Sequence, residues 1–487
     1  MWKATLITWT ATLALLTGTV SLAASEAEIR MRAGDVAGAL PLARDAALRD
    51  PASLDAQELY IDLGLSLGLR HHVEAIYRKR LADHPDSADA HYLMGRVVTS
   101  AEEAKAEYDK ALELDPSHAR APMGLGAVQR ALGELDDAKR SYQTALERDP
   151  SLVEAWTGLQ ASLLQQGHIG EAQAEARRFL KAVPDSPEPY VAVATLERDR
   201  AADVLAVGVK RVPDDPHLRA LYARTLLDAG KADEAVRQAD AALRVAPGYA
   251  EVQFLRMVGR EMQRGTLDVD GWTSMVRARD LQDATAARAA WAGITQRHPR
   301  SALGWLGLAK VLGATGDTNG ALAPLATAAR LAPDEVEVHA TYGIALSQAG
   351  RPSEAVPWLM KAVSGRPRDA SLMVALVQAL LADKRPAEAR TLTVKAYEAH
   401  PHDLRVALIT AQVLSEQGDP KGAYIALRDA LPRIPDPRLV IALAAAARDA
   451  GNYDEAADIL DRLGRTLDND TARDLAVQLR AEAKAHE

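Results

Sequence analysis

The stretch of this sequence most suggestive of chemistry is Asp-Val-Asp-Gly at residues 268–271, followed by Trp272. Two carboxylates beside a glycine are the groups that hold a divalent cation or the phosphates of a nucleotide-sugar. A calcium loop, however, needs further oxygen ligands at alternating positions and an acidic residue to close it. Here Gly271 is followed by Trp-Thr-Ser-Met-Val. A nucleotide-sugar site needs a nucleotide-binding sheet around it, and no such pattern surrounds these residues. The histidines are the next candidates. His71-His72 and His400-x-His402 have metal-ligand spacing but lack a third ligand at an obvious distance. His84, His298 and His400 each precede a proline, and that recurrence marks a place where a cation meets the negative end of a helix. The chain has no cysteine, which excludes thiol nucleophiles, zinc-thiolate centres and disulfides. Nor does it contain a nucleophile elbow, a phosphate loop or a His-Glu-x-x-His helix. No catalytic residue, metal or cofactor is assigned.

The elements that would position any such group follow from composition and spacing. Of 487 residues, 48% are hydrophobic but only 4% aromatic, with two Phe. Cores must be built from Ala, Leu and Val, which suits closely packed helices better than sheets. The net charge of −9 argues against nucleic acid as a partner, since binding it takes a basic surface. Prolines recur at 51, 85, 116, 150, 184, 213 and 247, then at 299, 333, 367, 401 and 435. Most of these spacings are 34 residues, the period of a repeat array.

One segment, Ala119 to Pro150, carries the repeat in full. With Ala119 as position 1, Leu125 and Gly126 stand at 7 and 8, Ala138 at 20, Tyr142 at 24, Ala145 at 27 and Pro150 at 32. Trp156 and Trp305 fill position 4 of their own units, and Ala104, Ala172, Ala235, Ala321, Ala355, Ala389 and Ala423 fill position 20. This pattern resembles the tetratricopeptide repeat, in an exported bacterial protein. The resemblance implies an all-α fold, a right-handed α-solenoid (superhelix) of about thirteen helix-turn-helix units. Independently of the family, small residues at 8, 20 and 27 let two helices cross closely while large ones fill the space beside them. Proline at 32 ends the second helix. A hairpin that cannot bury both apolar stripes alone must stack on its neighbours.

Residues 1–24 combine Lys3, an apolar stretch and the small residues around Ser21-Leu22-Ala23, and read as a signal peptide. The alternative is an uncleaved anchor over 4–24, which is long enough to cross a bilayer. Either places the body outside the cytoplasm, periplasmic or secreted. Residues 25–53 read as a capping half-repeat, 54–249 as a first block of repeats, 302–470 as a second, and 471–487 as a closing helix. Unit 250–301 is too long by an insertion at 266–283, in the turn between two intact helices. Asp270 is placed to cap a short helix there, with Trp272, Met275, Val276 and Arg279 on one face. That helix packs back on the array, or serves as a partner-binding knob, or holds a ligand.

The family resemblance implies that first helices line a concave side through positions 2, 5, 9 and 12. Those positions carry Tyr92 and Arg96, Met123 and Arg130, then Leu164, Arg224 and Phe254. Apolar groups interleaved with arginine suit an extended peptide, so these residues and Trp272 are the candidate partner-binding set. The chain has three Asn, too few for the asparagine-lined or Lys/Asn-lined grooves of two tetratricopeptide classes. The expected function is a non-enzymatic scaffold for other proteins. The narrower alternative is a periplasmic adaptor of an exopolysaccharide secretion complex. Contact with a membrane is expected only through the N-terminal segment.

Overall fold

The computed structural model describes residues 22–32, 36–431, 434, 436–466 and 470–486. The signal peptide or anchor read from the sequence lies, through residue 21, outside them. Every regular element among the described residues is helical. None of these helices is long and apolar enough to cross a membrane. Two compact units result, one of residues up to Leu226 with Glu234–Leu255, the other of Leu227–Asp233 with Arg256–Glu487.

The first unit begins with the hairpins α1 (Leu22–Arg32) with α2 (Val36–Arg49), α3 (Leu54–Ser66) with α4 (Arg70–Asp83), and α5 (Ala88–Val97) with α6 (Ala101–Leu114). It continues with α7 (Arg120–Leu132) and α8 (Leu135–Arg148), α9 (Val153–Gln165) and α10 (Ile169–Ala182), then α11 (Glu188–Leu196) and α12 (Ala201–Arg211). Next come α13 (Pro216–Asp228) and α14 (Ala232–Val245), whose connecting turn groups with the second unit, and α15 (Ala250–Gln263), which contributes residues to both. The second unit adds α16 (Val269–Asp280) and α17 (Ala284–Arg297), then α18 (Ala302–Ala314) with α19 (Thr318–Leu331) and α20 (Val336–Gln348) with α21 (Pro352–Gly365). Three more hairpins follow, α22 (Ala370–Ala382) with α23 (Pro386–Ala399), α24 (Leu404–Glu416) with α25 (Pro420–Ala430), and α26 (Pro437–Ala450) with α27 (Tyr453–Thr466); α28 (Asp470–His486) closes the unit against α26 and α27.

What locks one hairpin to the next is an aromatic ring held between glycines. The Tyr142 ring lies against Gly126 of its own hairpin and Gly158 of the next; a methyl built on Gly158 would stand 2.3 Å from that ring. Tyr108 fits between Gly95 and Gly124 in the same way, and Trp291 lies against Gly307. Position 8 of the same hairpin and position 6 of the next are therefore small because position 24 is large, and these contacts set how closely the helices cross.

Position 4 has its own logic. Trp156, Tyr190 and Trp305 each donate a side-chain hydrogen bond to the carbonyl of the proline six residues earlier, at 2.8–3.0 Å. The Nε2 atoms of His91 and His339 sit 2.9 and 2.7 Å from the carbonyls of Pro85 and Pro333. These two histidines thus satisfy the acceptor left over where a second helix ends, which any donor of suitable reach can do. Burial lowers the pKa of His339, consistent with a neutral ring in that role.

Most first helices end on a glycine in the left-handed region, as at Gly133 with φ 83°. In the hairpin of α22 and α23 the equivalent residue is Lys384, at φ 57°.

Candidate partner-binding site

Within each unit, successive hairpins meet through their first helices: α3 touches α5, α5 touches α7, and α7 touches α9. The first-helix side is thus the inner one. Equivalent residues on neighbouring first helices come side by side there, and the 34-residue repeat brings chemistry together that is distant in sequence.

The side chains gathered on α3, α5, α7 and α9 are mutually paired. Tyr92 donates its hydroxyl to Glu58 at 2.5 Å, both at position 5 of their units. Arg96 makes a two-pronged bond to Asp62 at 2.9 and 3.1 Å, both at position 9. Its other nitrogen reaches Glu154 at 2.8 Å and the Tyr92 hydroxyl at 3.2 Å. On the helix between, the position-9 residue is Ala127, short enough to leave that path open. Arg120 pairs with Glu58 at 2.7 Å and with Asp55. The result is a continuous network of four carboxylates, two guanidiniums and a phenol, most of it shielded from solvent.

Its electrostatics follow from burial and crowding. Burial raises the Asp62 carboxyl to about 6; Arg96 pulls it down, while Glu154 and Glu58 push it up again. Burial alone would lower Arg96, but the carboxylates of Asp62 and Glu154 override it and hold the guanidinium charged. Burial is also the main cause of the raised pKa of Tyr92. Carboxylates outnumber guanidiniums in the network, so the network is acidic.

The arrangement corrects the expected arginine-and-apolar lining. Arg96 is only 11% exposed and bonded to two carboxylates, so it has no fork left for a partner's carboxylate. Tyr92 and Met123 are buried in the core cluster of the first unit rather than displayed. Leu164 is exposed on α9. Arg130, beside the Tyr142 ring on α7, Arg224 on α13 and Phe254 on α15 are half-buried. Of the eight expected residues, Tyr92 and Arg96 bond to each other. Asp55, Glu58, Asp62, Arg120 and Glu154 were missed. The signal was available at positions 5 and 9 of adjacent units, where Glu58 faces Tyr92 and Asp62 faces Arg96.

Trp272 is corrected most sharply. It is 1% exposed, and its Nε1 donates to Asp228 at 2.6 Å. Met275 and Ala278 are buried with it, while Val276 is half-buried and Arg279 exposed. The face that α16 turns inward is therefore rotated from the one expected. Asp268, not Asp270, caps the helix, accepting from the Gly271 nitrogen at 2.7 Å. Asp270 is exposed. The two acids do not converge, and among the described residues no group of three or more His, Cys, Asp or Glu could hold a metal ion. Around the insertion, Glu261 at the end of α15 accepts from the Leu303 nitrogen at 3.0 Å and from the Ser301 hydroxyl, capping α18.

Tetratricopeptide-repeat family models match residues 100–163 and, in two overlapping spans, 306–372 and 342–403. No curated protein matches the chain. Among solved structures it is similar to Naa15/Naa10 bound to HypK-THB, at 14% identity over 95% of this chain and 78% of that one, with a TM-score of 0.34. It is also similar to the MamA RS-1 ArsTM double mutant, at 15% identity over 34% and 93% of the two chains, TM-score 0.32. A third, the APC/C hetero-tetramer Cut9-Hcn1, shares 15% identity over 94% and 95%, TM-score 0.32. Likeness at this level carries no argument about partners. The family matches and the packing of Gly, Ala and Tyr at their repeat positions agree, and the chain carries tetratricopeptide repeats.

Proposed function

We propose that this protein is a non-enzymatic scaffold, acting outside the cytoplasm, that binds segments of other proteins on the inner face of its first helices. The observation that carries the reading is the network on α3, α5, α7 and α9. Its side chains are held in place before any partner arrives, so little entropy is lost on binding. Its excess of carboxylates favours a partner segment bearing lysine or arginine, reversing the polarity expected from the sequence. The location rests on the apolar stretch of residues 4–24 and the small residues at its end, around Ser21-Leu22-Ala23.

The test is in-cell crosslinking of the tagged full chain, with partners identified from wild type and from Glu154→Lys. Glu154 is the most solvent-accessible of the carboxylates paired to Arg96, so its reversal should change recognition more than folding. Loss of a discrete partner, with an unchanged melting temperature, supports the inner face as the site. An unaltered partner set discards it. A polysaccharide synthase or an outer-membrane pore among the lost partners would give the narrower adaptor reading.

A further inference from the structure

The outer helices of the second unit carry a feature that the repeat pattern does not require. Position 25 of a second helix faces away from the core. In the first unit it is occupied by Arg44, Arg78, Asp109, Gln143, Arg177, Ala206 and Asp240, all polar but Ala206. In the second unit the same position holds Ala292 on α17, Ala326 on α19, Met360 on α21 and Val394 on α23, each 34 residues from the last, before Arg428 takes it on α25. Met360 is 48% exposed and Val394 50%. One turn earlier, at position 22, stand Pro357 on α21 and Ile425 on α25, the latter 45% exposed. Helical geometry puts positions 22 and 25 on one face, and repeat equivalence carries that face across successive outer helices.

Cations border this stripe. Arg330, Lys361, Lys395 and Lys421 occupy positions 29, 26, 26 and 18 of their units, all on the same side of the helix, and all are exposed. None of the four has an ion-pair partner among the described residues, although the Lys361 ammonium lies 4.7 Å from the centre of the Trp358 ring. The face also carries Glu398, and Asp429 with its partner Arg428. It is therefore positive overall on a chain whose net charge is −9.

We infer that this outer face docks onto an anionic lipid surface. The apolar side chains are separate and of moderate size, and there is no aromatic anchor among them. Protein interfaces favour aromatic residues and arginine and are depleted in lysine. Lysine beside Met, Val and Ile suits a lipid headgroup layer, where the stem lies along apolar surface and the ammonium stays with phosphate. Unpaired cations add attraction to a negatively charged leaflet. This contact uses residues distinct from the N-terminal segment and from the inner-face network.

Because the chain has no cysteine, single cysteines can carry an environment-sensitive dye at chosen positions of the full chain. Met360→Cys and Val394→Cys report on the proposed face, and Asp109→Cys on the equivalent place in the first unit. With vesicles of phosphatidylglycerol in phosphatidylcholine, the dye at 360 and 394 should shift to the blue and that at 109 should not. Phosphatidylcholine alone should shift none of them. In vesicle flotation, Lys361→Gln with Lys395→Gln should lower the partition coefficient by roughly fivefold for each lysine removed. The matched pair Lys105→Gln with Lys181→Gln on first-unit outer helices should leave it unchanged. A chain that floats with anionic vesicles while the dye at 360 and 394 stays in water overturns the inference, because another segment then makes the contact. Equal loss in both lysine pairs overturns it too. So does a blue shift that grows with protein concentration in the absence of lipid, which would assign the face to a second copy of the chain.

Discussion

Lys384 shows how a single residue can run against the repeat that holds it. Its hairpin turn needs a left-handed backbone, which glycine adopts freely and a residue with a Cβ does not. Lys384→Gly should therefore stabilise the fold by about 1 kcal/mol, read as a higher denaturation midpoint; a lower midpoint would mean the lysine side chain makes up the difference. Asp62 works through charge. Its carboxyl is raised to about 6, mainly by burial, above the usual 3.8. The folded chain thus binds that proton more tightly than the unfolded one, and the cost of ionised Asp62 is present above pH 6 and relieved as pH falls toward 3.8. Between pH 7 and pH 5 the wild type should gain about 1 kcal/mol relative to Asp62→Asn. Parallel stability curves for the two proteins would show that Arg96 neutralises the site fully. His91 and His339 fall at position 4, where Trp156 and Trp305 stand in other units, and that place in the repeat marks them as packing residues. Their acceptor, the proline carbonyl six residues back, was not legible, because a spacing in sequence does not say which atoms face each other.

The instructive element is α16. The sequence located an extra helix between two repeat helices and marked Trp272 as its distinctive residue. It did not say which way the indole points, and a lone Trp on a short helix serves equally as a partner's anchor or as a core residue. The structure buries it, with Asp228 taking its N–H. Trp272→Phe keeps most of the apolar area and removes that bond, leaving Asp228 without its donor. A loss of about 1–2 kcal/mol in the denaturant midpoint is expected, with the partner set of the crosslinking experiment unchanged. If stability held and partners were lost, α16 would be a recognition element after all. The same element shows how an insertion is absorbed. The helix-capping oxygens of α18 come from Ser301 and from Glu261 on the far side of the insertion, so the repeat resumes in register.

At the scale of the molecule, a stack of hairpins is held by nearest neighbours, and its ends are its weak points. In α28, Ala472, Ala476 and Leu479 are fully buried against the hairpin of α26 and α27. Deleting residues 470–487 should uncover Leu443, Ala447 and Leu460. Amide exchange should then quicken in α26 and α27 first, while α18 to α21 keep their protection; uniform loss throughout the second unit would show that it unfolds as one block. By itself the sequence determined the period, the helix pairs and the small and large positions, because each depends on local spacing and residue volume. It also determined which residues fall on first helices and hence toward the inner side. Only the tertiary structure decided what that side presents. Arg96 reaches a carboxylate 34 residues before it and another 58 residues after it, and such pairings depend on how neighbouring helices are set beside one another. The same reason holds for Trp272: burial is a property of the space around a side chain, and that space is filled by residues the local sequence does not contain.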